Sequence, residues 1–409
     1  MPHQHLGVNM QVTNTMESLL ASGFSRRMGQ EYLDTLAKEE SSTLFEDDLR
    51  TWSHAHGFFA ETVACLGITE ANADDYLSDY DYFRVWPLNS WQRVWINDKL
   101  TLKYQLSGTP WDRYLPKYYF YAGADGLVPL ADSGLANIGA PVPSAAFTST
   151  QPAKRSDFRR EFLALLREVG EFACKPANAE LAVGFHKLSY DGGYLIDNRP
   201  ATEDDVWGYV QSHPNDIFTE FFHPGGSLAE VSPVIHTLRV LVVNQTGIDP
   251  TFTASYLRLA TDVAGDDSKA NYRSPDEAGI RSYNLSFDLE SGAYGNGLLV
   301  YGDKSVPAAT HPDTGVKGAG KMECWQELRQ AIYDVSLRLG PVEYMGYDVC
   351  ATTDGPKIME INSHSGSKYL QLYKPFMRDA YLADYFERKL AAIDSLDDTG
   401  RARRNAIVR

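Results

Sequence analysis

The spacing of apolar and polar positions changes several times along the chain. Up to about residue 95 it is broken helix: MESLLASGF and FFAETVACLGI place apolar residues three and four apart, and the Tyr/Trp-rich DYLSDYDYFRVWPLNSWQRVW follows. A helical N-terminal region is therefore expected over 1–96. Asn97 opens another helical segment, NDKLTLKYQLSG, and a loop-rich stretch leads to SDFRREFLALLREVG. There Phe158, Phe162, Leu163, Leu166 and Val169 recur at helical spacing, with Ser156 as cap and Gly170 as stop. The run EFACKP reads as a strand, ended by Pro176. Strands and turns then alternate through AVGFHKLSYDGGYLI, DIFTEFF, HTLRVLVVNQTG and TFTASYLRLA, the last two forming a hairpin.

From Asp262 to Gly320 the chain is glycine-rich and reads as irregular. An amphipathic helix, KMECWQELRQAIYDVSLRLG, comes next, and a last helix lies near MRDAYLADYFERKLAAI. The basic tail over 393–409, ending TGRARRNAIVR, is expected to be disordered. Strands mixed with helices give an α/β (α+β) chain.

Between those two helices lies GYDVCATTDGPKIMEINSHSG, two apolar runs around an Asp-Gly turn that nevertheless hold Asp348, Glu360 and Asn362. Side chains alternate faces along a strand, so the loop length decides which of them meet. A two-residue loop at Asp354-Gly355 sets residue 349 opposite 360 and turns Asp348 away from Glu360. A three-residue loop, Thr353-Asp354-Gly355, sets 348 opposite 360. It also sorts Tyr347, Val349, Met359 and Ile361 onto one apolar face, and Asp348, Glu360 and Asn362 onto the other. Three oxygen-bearing side chains on a rigid hairpin suit a hard cation such as Mg2+. Taken alone, the hairpin is equally well read as having one merely wet face.

Composition narrows the partners. The chain has 409 residues, 43% of them hydrophobic and 12% aromatic, enough for a large core in two or three domains. A net charge of −16 argues against binding nucleic acid or an acidic membrane, so any phosphate must meet a local cluster of cations. Cys65, Cys174, Cys324 and Cys350 are widely separated, which suits free thiols in a reducing compartment. MPHQHLGVNMQ has no signal-peptide character and no run of ~18 apolar residues occurs, so a cytoplasmic protein is expected. The 24 tyrosines fit packing, a substrate wall or a homodimer contact equally.

The order of the polar motifs resembles the ATP-grasp superfamily. Gly346-Tyr347-Asp348 and Glu360-Ile361-Asn362 resemble its metal-binding hairpin, and Asn97-Asp98-Lys99 a helix start whose lysine meets nucleotide phosphate. Cys174-Lys175-Pro176 resembles the second nucleotide lysine. IFTEFF, with Glu220, Phe221 and Phe222, resembles the hinge whose backbone pairs with adenine. Thr237-Leu238-Arg239-Val240 resembles the strand that carries a phosphate-binding arginine. The resemblance spans about 97–385, and VSPVIHTLRVLVVN, YLRL, HPDTG and Trp325 are similar to its sugar-transfer-associated branch.

This resemblance implies a two-lobe architecture with a nucleotide cleft: a pre-grasp segment and small lobe over 97–220 and a large lobe with the metal site over 221–392. It implies an ATP-dependent ligase that activates a carboxylate as an acyl-phosphate and couples it to an amine, with Mg2+ or Mn2+ as the metal. ATP-grasp phosphotransferases and non-catalytic nucleotide-binding modules are the alternatives. Asp348, Glu360 and Asn362 would hold the metal, and Lys99, Lys175 and Asn271 the nucleotide, with Asn284 as the competitor of Asn271. Arg239 and Arg258 would be catalytic, although a cation inside an apolar strand is also explained by a structural ion pair.

Two departures from the family pattern stand out. The loop PANAELAVGFHKL has one glycine, Gly184, where several are usual, and Lys187 is available to compensate. Thr237 replaces the usual ribose-binding acid. His364, Ser365 and Gly366 occupy the place of a substrate contact, but a lone loop histidine is as readily without chemical duty. His311 carries no derivable role.

Overall fold

A computed structural model describes residues 12–135, 158–178, 184–262, 266–268 and 279–407, and their strands pair into two antiparallel sheets. The first holds β1 (Tyr118–Gly123), β2 (Gly126–Pro129), β3 (Glu171–Pro176), β4 (His186–Tyr190), β5 (Tyr194–Ile196), β6 (Arg199–Ala201) and β7 (Asp216–Glu220), ordered β2-β1-β7-β3-β4-β5-β6. Phe120, Phe172, Leu188 and Phe218 bury one face against Phe162 and Leu166 of the Arg159–Val169 helix and Val206 of the Glu203–Ser212 helix. On the other face Tyr118 and Ile217 pack with Leu100 of the Lys99–Leu106 helix.

The second sheet holds β8 (Thr237–Val243), β9 (Thr251–Leu259), β10 (Ser282–Phe287), β11 (Ala293–Val300), β12 (Ser305–Pro307), β13 (Gly320–Lys321), β14 (Tyr344–Thr352) and β15 (Gly355–Asn362). Its order is β12-β11-β10-β9-β8-β14-β15, with β13 beside β11. Leu238, Val240, Leu257, Tyr347, Val349 and Ile361 point to the Trp325–Arg338 helix, and Leu102 and Leu106 of the Lys99–Leu106 helix join the same core. Opposite them, one end of the sheet is covered apolarly, Leu241, Val243, Tyr256 and Tyr344 meeting Phe376, Leu382 and Tyr385. The other end of that face carries Arg239, Asp348 and Glu360 on adjacent strands. The Lys99–Leu106 helix thus belongs to both cores and fixes where the first sheet can deliver a side chain to the second.

The described N-terminal residues are helical, as expected, around Phe24, Tyr32, Tyr80 and Trp86. They dock on the second sheet through specific polar contacts. Asn89 accepts from Tyr344 N–H (2.9 Å) and donates to Tyr344 O (2.7 Å), and Asn97 Oδ1 accepts from Ser363 N–H (2.9 Å). Each replaces a strand-edge or loop partner that the main chain would otherwise lack.

Four expectations change. Asp262–Gly320 is not irregular: among its described residues β10, β11 and β12 extend the second sheet, and its glycines serve packing. A Cβ at Gly297 would lie 2.2 Å from both Ala308 O and the Tyr283 hydroxyl. The hairpin turn is two residues long, since Thr352 pairs with Gly355, Cys350 with Lys357 and Val349 with Ile358. A bulge between Asp348 and Val349 then restores Asp348 opposite Glu360, so the expected pairing arises by a different device. Met359 is the residue left over, and Ile358 takes its place in the core.

Of the tail, residues Asp398–Asn405 form a helix capped by Asp397, where disorder was expected. Arg401 donates to Ala21 O (3.0 Å), and Arg404 to the carbonyls of Gly23, Arg84 and Trp86. The basic run is held because carbonyls at the ends of N-terminal helices lack partners within those helices. Ser156, expected as a helix cap, lies outside the described residues.

Candidate active site

The site grows from the β14–β15 hairpin. Asp348 is buried, and its neighbours across the sheet are Arg239 on β8 and Glu360 on β15. Arg239 grips it bidentately: Nε donates to Oδ1, and Nη2 to Oδ2 at 2.8 Å, while Nη1 donates to Ser365 O at 2.8 Å. Asn362 Nδ2 bridges the carboxylates, 3.4 Å from Asp348 Oδ2 and 3.3 Å from Glu360 Oε1. Asp348, Glu360 and Asn362 are therefore brought together. Among the described residues no three His, Cys, Asp or Glu side chains gather into a metal-holding group, so the set is two carboxylates and an amide. All three are hard oxygen ligands once the Asn362 amide is turned over, and the site suits Mg2+ on that ground.

Cations from the first sheet's side meet this hairpin. Asp98 caps the Lys99–Leu106 helix by accepting from Thr101 N–H at 2.6 Å, which sets buried Lys99 at its first turn. Lys99 N–H donates to Ala177 O (3.3 Å), just beyond β3, and Lys99 Nζ lies 3.4 Å from Glu360 Oε2. Lys175, at the end of β3, is pushed down to about 8 by burial and by the neighbouring Lys99, against the pull of Glu360. Despite its own burial, Glu360 is held below the ordinary carboxylate range by Lys99, Lys175 and Arg239. Burial and the Glu360 charge push Asp348 the other way, and Arg239 opposes them. Arg258 on β9 lies between Thr237 and Asn284 in the sheet, on the face that carries Arg239, and its charge also reaches Asp348.

The remaining expected residues are placed differently. Lys187 does not face the hairpin carboxylates: its Nζ lies 2.6 Å from Glu171 Oε1 and 2.7 Å from Asp267 Oδ2, over the Phe221 ring. Glu220 accepts from Lys357 Nζ at 3.2 Å and from Lys117 N–H at 3.0 Å, and its own N–H donates to Lys117 O. Phe221 and Phe222 follow at the end of β7, each with a lysine against its ring, Lys187 and Lys357 respectively. Lys357 was missed by sequence reasoning. Its signal was a cation inside the apolar run PKIMEI, the same kind that marked Lys175.

His364 stacks on Tyr82 (centroids 4.3 Å apart, planes at 18°), and among the described residues neither ring nitrogen has a hydrogen-bond partner. Burial, with Arg27 and Arg93, pushes it down to about 3, so it is neutral packing between the loop and the N-terminal helices. Ser365 contributes its carbonyl to Arg239, and Gly366 takes φ 63° in the next turn. Asn271 lies outside the described residues. Its competitor Asn284 is buried beside Arg258 and donates to Ser282 Oγ at 2.9 Å. His311 is structural, its Nε2 2.8 Å from Ala260 O.

Fold and site together define a two-sheet protein in which lysines at the margin of one sheet face paired carboxylates on a hairpin of the other. No family model and no curated protein matches the sequence. Solved structures to which the chain is similar are ATP-grasp ligases. One is the ATP-grasp ligase PsnB complexed with its minimal precursor (11% identity, TM-score 0.35, 73% of this chain and 62% of that one). Another is D-alanyl-alanine synthetase A from Vibrio cholerae (13%, TM-score 0.39, 74% and 67%). A third is the VanG D-Ala:D-Ser ligase from Enterococcus faecalis (12%, TM-score 0.35, 73% and 61%). The chain spans less than two thirds of the PsnB and VanG chains. No helix among the described residues is long and apolar enough to cross a membrane, and all four cysteines are unpaired.

Proposed function

We propose that the protein is an ATP-grasp ligase that uses ATP and Mg2+ to activate a carboxylate as an acyl-phosphate, which an amine captures to give an amide, ADP and phosphate. One observation carries the reading: Asp348, Glu360 and Asn362 converge on a hairpin against Lys99 and Lys175. Lys175, its charge disfavoured by burial and by the neighbouring Lys99, is poised for a polyanion, whose arrival would offset that repulsion. Asp348, Glu360 and Asn362 would hold Mg2+, which when bound would neutralise charge on the phosphates. Arg239 keeps Asp348 ionised and aimed, and its contact with Ser365 O fixes the loop that follows the hairpin. Phosphoryl transfer needs little beyond such positioning and electrostatic stabilisation. The unpaired cysteines support a cytoplasmic location.

The test supplies ATP, Mg2+ and a panel of amino acids and sugar acids, with hydroxylamine in place of the amine. An acyl-phosphate is open to a small nucleophile, so the expected result is a hydroxamate of one panel member with stoichiometric ADP. A phosphorylated product that survives hydroxylamine, with no phosphate released, would instead identify a phosphotransferase.

A further inference from the structure

A cavity of about 610 Å³ lies between the start of the Arg26–Glu40 helix and the Asp398–Asn405 helix, and it shares no lining residue with the hairpin site. Arg26, Arg27, Arg401 and Arg404 line it beside Phe24 and Trp86, and among the described residues no Asp or Glu does. In a chain of net charge −16, four arginines around one cavity, one of them paired with an acid, form a local field opposite to that of the whole. Arg401 and Arg404 donate to main-chain carbonyls, which orient a guanidinium but leave its charge in place. Burial, then Arg84 and Arg401, push Arg404 down to about 10. Of the nearby acids, Glu31 pairs with Arg27 (2.9 Å), so the cavity's charge rests on Arg26, Arg401 and Arg404, and Asp394 pairs with Arg84. The Arg26–Glu40 helix begins at the cavity wall, capped by Ser25, and its N-terminal dipole adds to the same sign. The other wall is aromatic, with the Arg27 and Arg93 guanidinium carbons 5.6 and 4.8 Å from the Trp86 ring centre.

We propose that this cavity is a binding site for a small aromatic organic phosphate, its ring against Phe24 and Trp86 and its phosphate in the arginine cluster. Arginine forks match phosphate oxygens in pairs, and the volume lies within the roughly 300–1,000 Å³ of small-molecule sites. The inference is independent of the ligase reading.

Titration calorimetry of the full chain with phenyl phosphate, inorganic phosphate and benzyl alcohol tests it. Phenyl phosphate should bind about 10-fold or more tightly than either fragment, since both walls must be used. Arg26→Glu and Arg404→Gln should each weaken it by about 10-fold or more. Lys38→Glu, near the other end of the same helix, should change it by less than about twofold at 0.15 M salt. Arg26 is exposed and its bond to Asn405 is made by its main-chain N–H, so its variant remains informative if Arg404→Gln loosens the Asp398–Asn405 helix. Absence of phenyl phosphate binding at millimolar concentration overturns the proposal. Binding unchanged in both arginine variants would place the ligand elsewhere, and equal losses in Lys38→Glu would reduce the effect to net charge.

Discussion

Arg239 on β8 holds Asp348 on β14 through two parallel hydrogen bonds across neighbouring strands, with Nη2 2.8 Å from Oδ2 and Nε on Oδ1. The pair makes a buried carboxylate tolerable within a sheet whose opposite face is a hydrocarbon core. Arg239→Met should therefore cost about 3–5 kcal/mol in urea unfolding, because Asp348 is left with an uncompensated charge or must take up a proton. Arg239→Met combined with Asp348→Leu should recover most of that loss while remaining inactive. If the double variant is as unstable as the single one, the pair is not what stabilises this end of the sheet.

Glu360→Gln removes one charge from the hairpin at nearly constant volume. Turnover should fall by on the order of 100-fold or more, because the lost carboxylate charge would hold the Mg2+ and attract Lys99. Circular dichroism should be unchanged. Full Mg2+-dependent activity in a folded Glu360→Gln protein would take this residue out of the site.

Lys175, expected at a strand end, and Lys187, expected to compensate in the loop after it, should now separate. Lys175→Ala should raise the ATP concentration needed for half-saturation by about 10-fold and lower the maximal rate, as expected for a contact made in ground and transition states alike. Lys187→Met should leave the ATP requirement within about threefold but lower the melting temperature, because Glu171 and Asp267 lose a buried partner. Steady-state kinetics beside thermal melts distinguish the two, and the reverse ordering would return Lys187 to the nucleotide.

What the sequence revealed follows the range of the forces involved. Strands β3, β7, β8, β9, β14 and β15 were legible because apolar runs and alternation report burial locally. The Asp348–Glu360 pairing was reached by parity, but its mechanism was not, since a bulge at Met359 depends on strand twist rather than residue type. Strands β10 and β11 stayed hidden because glycines forced by close approach, as at Gly297, look like loop residues in isolation. The last helix was illegible for another reason: Arg401 and Arg404 find carbonyls more than 300 residues away in the chain. Shorter but still long separations in the chain concealed Asp348 as the partner of Arg239 and Tyr82 as the seat of His364.

Gly346 adjoins the site without touching its chemistry. A Cβ there would lie 2.2 Å from Ser365 Cβ, so Gly346→Ala must displace the loop whose carbonyl binds Arg239. Overpacking of this kind costs about 1–3 kcal/mol. Turnover should fall by a larger factor than stability explains, because the displaced loop carries Arg239 and hence Asp348 with it. Replacing Gly355, where a Cβ meets nothing within 4 Å but φ is +101°, is the control that strains the turn without moving Ser365. Equal turnover losses in the two variants would disconnect the loop from the site.

Asp79 offers a pH test outside the site. Its carboxylate is buried and accepts from Phe59 N–H at 2.8 Å, and burial raises it to about 7. Phe59, Thr62 and Lys368 pull it down, while Glu39 adds to the rise. In the unfolded chain an aspartate titrates near 3.9, so the folded state holds this proton more tightly. The stabilisation is fully present below about pH 4 and is lost as pH rises toward about 7, beyond which the curve is flat; the loss is on the order of 4 kcal/mol. Asp79→Asn keeps an oxygen for Phe59 N–H and cannot ionise. Melting curves should therefore show the variant close to wild type below about pH 4, ahead of it by part of the difference at pH 5, and ahead by all of it at pH 8. A wild-type slope that persists in Asp79→Asn would assign the pH dependence to another group, and Glu39, which shares this neighbourhood, would be the next to replace.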